Sequence, residues 1–267
     1  MGTNSKRLWS DFVREADAAD HAVQVYAEDD ELAGAVAAYL AAGFARGEPG
    51  VVIATPEHRL LIEAELPETA DGLLTWLDAG ETVDAILVDG RPDRGRFDAV
   101  VGSVLDDVAE RFPGRLVRAF GELVDLLVRR GELLAAAELE ELWNGALAPR
   151  NVSLLCGYHA DPFAVEEQVT LFPAVCGTHT RMLLTADPER FQHAVDAALY
   201  AALGPDDASR VYRSIADAVA REPAVPVAQH ALMWVSAHMP ARAEIVVSDA
   251  RRRYRFALNG VQPAPAA

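Results

Sequence analysis

Along residues 21–158 the chain alternates two hydrophobic patterns, and this alternation constrains its fold more than any other feature of the sequence. Residues 21–26 alternate as a strand does, and 51–54 form a short continuous apolar run. Residues 73–77, 115–120 and 152–158 complete a series of five predicted strands. Between them, apolar residues recur at helical spacing, as with Leu32, Val36, Tyr39, Leu40 and Phe44. A parallel connection needs a crossover long enough for a helix, and each such helix needs a sheet face on which to bury its apolar stripe. The pattern therefore predicts an α/β fold, a mostly parallel sheet flanked by helices on both faces.

The helix signals are local. Asp29 or Asp30 caps a helix running to about residue 45, and Thr55-Pro56-Glu57 starts another over 57–65. Further helices are expected over 79–88, 96–111, 122–130 and 132–147, with residues 90–95 as a loop. After residue 160 the pattern changes. A helix over 163–181, interrupted at Pro173, leads into helices over 188–203, 206–221, 226–238 and 241–257, punctuated by proline and glycine. The expected organisation is a lead-in over 1–20, an α/β domain over 21–185, a small helical subdomain over 186–258 and a flexible tail over 259–267.

Composition excludes several chemistries. The net charge is −17, which repels phosphate backbones, so no direct nucleic-acid partner is expected. Lys6 is the only lysine, so the body of the fold offers none for a Schiff base or for a nucleotide phosphate. No apolar run is long enough for a membrane span and the start has no signal-peptide character, so the expected compartment is the cytoplasm, with no membrane partner. The two cysteines, Cys156 and Cys176, are then thiols.

Ligands of open α/β sheets bind beyond the carboxyl ends of the strands, which selects Tyr26 to Asp30, Thr55, Asp78, Glu122 and Tyr158-His159. ATPases of this layout place a glycine-rich phosphate loop after the first strand. Here that position reads Ala27-Glu28-Asp29-Asp30-Glu31, and no P-loop is present. Its four carboxylates suit helix capping and a solvated turn, and they repel a phosphate. Glu122 follows Gly121 and suits either a ligand contact or the start of its own helix. Cys156-x-x-His159 and Cys176-x-x-His179 have the spacing of zinc ligands. In a strand, however, Cys156 and His159 point to opposite faces. No cofactor is expected, with zinc the one candidate. Arg251, Arg252, Arg253 and Arg255 close the last helix, either as cations favoured at a helix C-terminus or as a docking patch for an acidic partner or a second copy. No nucleophile elbow and no G-x-G-x-x-G occurs.

Read in order, His21-Ala-Val-Gln-Val-Tyr26 with its acidic turn, Val51-Val-Ile-Ala-Thr-Pro-Glu-His58-Arg59, Leu77-Asp78-Ala79 and Val88-Asp89-Gly90 form a series. Arg118-Ala-Phe-Gly-Glu122, Leu139-Glu-Glu-Leu-Trp143-Asn144, Ser153-Leu-Leu-Cys-Gly-Tyr158 and Val175-Cys176-Gly-Thr-His179 continue it. The series resembles the MEDS domain, the sensory domain named for methanogens, methylotrophs and the regulator DcmR, over about residues 20–185. The resemblance implies a RecA/KaiC-related fold without a working nucleotide loop, and a sensor of small molecules in signal transduction or transcription regulation. It also implies that His21, Tyr26, Glu122, Trp143, Asn144, Cys156, Cys176 and His179 occupy positions the family marks, while His159 stands where proline is common.

The expected function is a non-catalytic regulatory protein. It would bind a small molecule through His21, Tyr26, Thr55, Asp78, Glu122, Asn144 and His179 at the carboxyl edge. It would signal through a protein partner or self-association. The alternatives are a divergent hydrolase or metal-binding enzyme using Glu122 and the Cys/His set, and an oligomeric interaction scaffold.

Overall fold

The computed structural model describes residues 12–67, 70, 72–185, 187–222 and 224–256. Most of the expected lead-in, including Lys6, and the tail over 259–267 lie outside the described residues. Two compact units emerge: an α/β unit of residues 12–159 with 178–181, and a helical unit of residues 160–177 with 182–256.

The main sheet comprises β1 (His21–Tyr26), β2 (Gly50–Ala54), β3 (Leu74–Asp78), β6 (Val117–Gly121), β7 (Val152–His159) and β8 (Arg181–Leu183). Its order is β3-β2-β6-β7-β1-β8. The pairings β3·β2, β2·β6, β6·β7 and β7·β1 are all parallel. β1, β2 and β6 are buried along their whole length; β2 is a continuous apolar run, whereas β1 and β6 carry the polar side chains of His21, Gln24 and Arg118 into the interior. The edge strand β3 is half-buried throughout. Helices Asp29–Phe44, Pro56–Glu65, Ala79–Ile86, Leu123–Arg129 and Leu133–Leu147 connect the strands.

Strand alternation gives the sheet two chemically different faces. Ala22, Val52, Phe120 and Leu155 share an apolar core with Leu32, Val36, Tyr39 and Leu40 of helix Asp29–Phe44. Phe12, ahead of the first strand, is fully buried in the same core and stacks on Tyr39 at 5.1 Å. In register, Val23 lies beside Cys156 and Tyr26 beside His159, so Cys156 and His159 do fall on opposite faces.

Local departures from the expected elements have local causes. The helix expected over 163–181 splits into Val165–Val169 and Phe172–Thr178, and the chain then enters the sheet as β8. Pro173 removes an amide donor and disfavours the helical conformation just before it, so the first helix stops and a second starts around the proline. A three-residue strand is too short to show a period. The loop expected over 90–95 begins as a hairpin, β4 (Leu87–Val88) against β5 (Arg91–Pro92). Its turn residues Asp89 and Gly90 have φ of 50° and 76°, the positive values that an Asp-Gly turn supplies. The helix expected over 96–111 starts at Arg94 and contains one π turn, Asp98–Gly102, before Ser103–Arg111.

In the helical unit, helices Pro188–Leu203, Pro205–Arg221, Val227–His238 and Pro240–Phe256 follow the proline punctuation of the sequence. Pro205–Arg221 buries Ala208, Val211 and Ile215 at helical spacing. Gln229 Nε2 donates to Gln168 Oε1 at 2.7 Å in the buried interior of this unit. Among the described residues no helix is long and apolar enough to cross a membrane.

Candidate functional site

Two groups of polar side chains in the α/β unit stand out, and the sequence-predicted residues divide between them.

The first lies at the carboxyl edge of the sheet. From β2 the chain moves outward to β3, whereas from β6 it moves the other way to β7, so the strand order reverses between β2 and β6. Ligand crevices of open α/β sheets form at such a reversal. Glu122, directly after β6, is buried there. One of its oxygens accepts the Thr55 N–H beyond β2, and the other pairs with His58 Nδ1. His58 Nε2 in turn lies 3.2 Å from Asp29 Oδ1. Glu122 makes no side-chain cap to its own helix, Leu123–Arg129. Its carboxylate ties together the ends of two strands and the start of the helix after β2.

Beside this link, Tyr26 at the end of β1 donates its hydroxyl to Asp125 Oδ2 at 3.4 Å and accepts from Arg129 Nη2 at 2.8 Å. Asp125 Oδ2 is also 2.7 Å from Arg129 Nε, and Asp125 Oδ1 accepts the His159 N–H at 2.9 Å. The Tyr26 ring sits edge-on to both His58 and His159, at 5.7 and 5.4 Å. Burial opposes charge on His58, but hydrogen bonding to Glu122 and the field of Glu122 and Asp29 prevail, so its pKa is raised. Burial also raises Asp125, against the pull of Arg129, and raises the Tyr26 phenol. The edge thus combines an imidazole biased toward its charged form, two buried carboxylates, a phenol and a guanidinium.

The second group lies on the opposite face, between β1, β7 and helix Leu133–Leu147. His21 Nδ1 is 3.0 Å from Asn144 Oδ1, and its Nε2 is 3.2 Å from Cys156 Sγ and 3.4 Å from Glu140 Oε2. His179 Nε2 is 3.6 Å from Glu140 Oε1, and Tyr158 donates its hydroxyl to the same oxygen. The His21 and His179 rings are 4.3 Å apart. Burial, reinforced by His179, pushes His21 down to about 4. Burial also raises Glu140 and the Cys156 thiol.

Of the seven residues predicted to bind a ligand, Tyr26, Thr55 and Glu122 meet at the carboxyl edge, whereas His21, Asn144 and His179 meet in the interior group. Asp78 accepts the Glu81 N–H at 2.8 Å and caps the helix after β3. Of the four Cys/His candidates for metal, Cys156 and His179 join the interior group. His159 sits at the carboxyl edge against Tyr26. Cys176 belongs to the helical unit, with its Sγ 3.9 Å from Met182 Sδ. In that unit Arg251 Nη2 lies 2.6 Å from Asp161 Oδ2, Arg252 and Arg253 pair with Asp249, and Arg255 is exposed. A concavity of about 560 Å³ between β3 and helix Ser103–Arg111, lined by Thr75, Val104, Asp107, Val108, Glu110 and Arg111, holds none of the predicted site residues.

Sequence reasoning did not select His58, Asp125, Arg129 or Glu140. Asp125 and Arg129 carry a signal, since they stand four apart on a helix that starts at the carboxyl edge. Glu140 carries a clearer one: Ala136, Trp143 and Leu147 place it on the buried stripe of helix Leu133–Leu147.

The family described as MEthanogen/methylotroph, DcmR Sensory domain matches residues 20–179, more than half of the chain. Comparison with curated proteins gives no match, and comparison with solved structures gives none either. The matched span begins one residue before β1 and ends on His179, so it takes in both polar groups. The chain belongs to this MEDS family of sensory domains, a membership that points to a role in sensing and regulation.

Proposed function

We propose that the protein is a non-catalytic sensor that binds a small polar molecule at the carboxyl edge of the sheet and passes the event on through protein–protein contacts. The observation that supports this most is the buried Glu122 carboxylate at the reversal of strand order, joined to Thr55 and His58. A ligand that hydrogen-bonds Glu122 or Tyr26 competes with contacts that tie β2 to β6 and β1 to helix Leu123–Arg129. Binding then favours one arrangement of these strand ends over another, which is the form a sensor's response must take. Charge defines the ligand class. Asp29, Glu122 and Asp125 outnumber His58 and Arg129, and the exposed acids over 28–31 add to the negative potential. The edge suits neutral or cationic molecules with hydroxyl or amino groups, and disfavours phosphates.

Native mass spectrometry of the purified protein, followed by thermal-shift titration with small alcohols and amines, tests this reading. The expected result is a retained or added small-molecule mass and a thermal shift that Tyr26→Phe and Glu122→Gln both abolish. A panel that gives no shift, or a shift unchanged in both variants, would remove the proposal. ATP turnover lost in Glu122→Gln would replace it with an enzyme.

A further inference from the structure

The interior group has a composition and a geometry that the sensor reading does not use. Its four donors are two imidazole nitrogens, one thiol and one carboxylate, and all four residues are buried or nearly so. Their ligand atoms all lie within 4.8 Å of one another. The contacts His21 Nε2 to Cys156 Sγ, His21 Nε2 to Glu140 Oε2 and His179 Nε2 to Glu140 Oε1 measure 3.2, 3.4 and 3.6 Å. Donor atoms bonded tetrahedrally to one ion at about 2.0–2.3 Å are spaced by about 3.3–3.8 Å. We propose that His21, Glu140, Cys156 and His179 form a four-ligand site for a tetrahedral divalent transition ion, zinc.

The surroundings orient each donor toward a common centre. His21 Nδ1 lies 3.0 Å from Asn144 Oδ1, which can only accept, so His21 donates Nδ1–H there; His179 Nδ1 lies 2.9 Å from Thr178 Oγ1, a hydroxyl able to accept its proton. His21 therefore turns its Nε2 lone pair inward, and His179 does the same in the tautomer that donates to Thr178, the arrangement that outer hydrogen bonds impose on metal-binding histidines. Tyr158 donates to Glu140 Oε1, while Glu140 Oε2 is buried and has no hydrogen-bond partner among the described residues. That is an independent pointer to a cation, because a buried carboxylate oxygen without a donor is costly. Charge also balances. A dication with one thiolate and one carboxylate is neutral overall, and binding releases the Cys156 proton together with any proton Glu140 holds.

Donor softness selects the ion. Thiolate and imidazole ligands suit zinc, whereas magnesium and calcium take oxygen ligands. Four protein ligands close the coordination shell, so the site is structural or metal-responsive and leaves no position for an activated water. It joins β1, β7 and helix Leu133–Leu147 to residues 178–181, a segment beyond His159 that belongs to the α/β unit.

Cobalt(II) titration of the metal-stripped full chain, read by absorption and by zinc competition, tests the site. The expected result is one ion per chain, a thiolate-to-cobalt charge-transfer band, and the intense visible bands of tetrahedral cobalt. Cys156→Ser loses the charge-transfer band. His21→Gln and His179→Gln weaken binding by more than tenfold, and Asn144→Ala weakens it by about ten- to hundredfold through ligand orientation. Cys176→Ser and His159→Gln bind as the wild type does, as does Glu122→Gln, which separates this site from the carboxyl edge. Circular dichroism checks the fold of each variant, and the wild-type spectrum together with Asn144→Ala decides the matter if a ligand variant fails to fold. Absence of saturable binding, a saturated complex without the thiolate band, or loss of the ion in Cys176→Ser would overturn the proposal.

Discussion

Arg118 stands inside β6 with no exposed surface at all. Its Nε is 2.7 Å from Glu48 Oε2, its Nη1 donates to the Val13 and Tyr39 carbonyls at 2.6 and 2.8 Å, and its guanidinium lies over the Tyr39 ring. Removing one partner of such a buried pair leaves the other charge uncompensated. Glu48→Gln and Arg118→Met should each cost about 3–5 kcal/mol in urea denaturation, with less than the sum in the double variant. His58 gives a pH prediction at the same scale. Its folded pKa is raised, so the stabilisation it contributes is complete below the free imidazole value of about 6.5 and is lost as pH rises through the folded value. In Glu122→Gln, burial is no longer offset by that carboxylate. NMR titration should show the His58 pKa fall, and the decline of stability over the same pH window should flatten.

Helix Asp29–Phe44 shows how an element depends on what it packs against. Ala is favoured over Gly inside helices by about 1 kcal/mol. A Cβ at Gly34 would meet nothing within 4 Å, so Gly34→Ala should stabilise by up to that amount. A Cβ at Gly43 would stand 2.5 Å from Arg118 Cδ, and Arg118 is held by Glu48 and two carbonyls. Gly43→Ala should therefore destabilise by about 1–3 kcal/mol, and thermal melts of the two variants should shift in opposite directions. The elements themselves were largely legible in the sequence, because helix starts such as Thr55-Pro56 and continuous runs such as Val51-Val-Ile-Ala54 depend on local chemistry. β8 was not legible, since its three residues are extended through pairing beside β1 at the sheet edge rather than through any pattern of their own.

At the scale of the whole molecule, the net charge of −17 sets up self-repulsion that folding concentrates and salt screens. Raising ionic strength from low to moderate salt should raise the melting temperature by a few degrees in differential scanning fluorimetry, and a flat response would show that the acids are already locally compensated. Alternation of apolar runs, the missing phosphate-loop motif and the near-absence of lysine are properties of the chain read in order, so the sequence by itself determined the α/β class. The carboxyl-edge rule also named Tyr26, Thr55 and Glu122 without coordinates. Only the tertiary structure separated these from His21, Asn144 and His179, and joined the latter to Glu140 and Cys156. The physical reason is distance along the chain. His21 and Cys156 are 135 residues apart and meet because β1 and β7 are neighbours in the sheet. Which strands lie side by side is decided by the packing of all the crossovers together, and no local stretch of sequence contains that information.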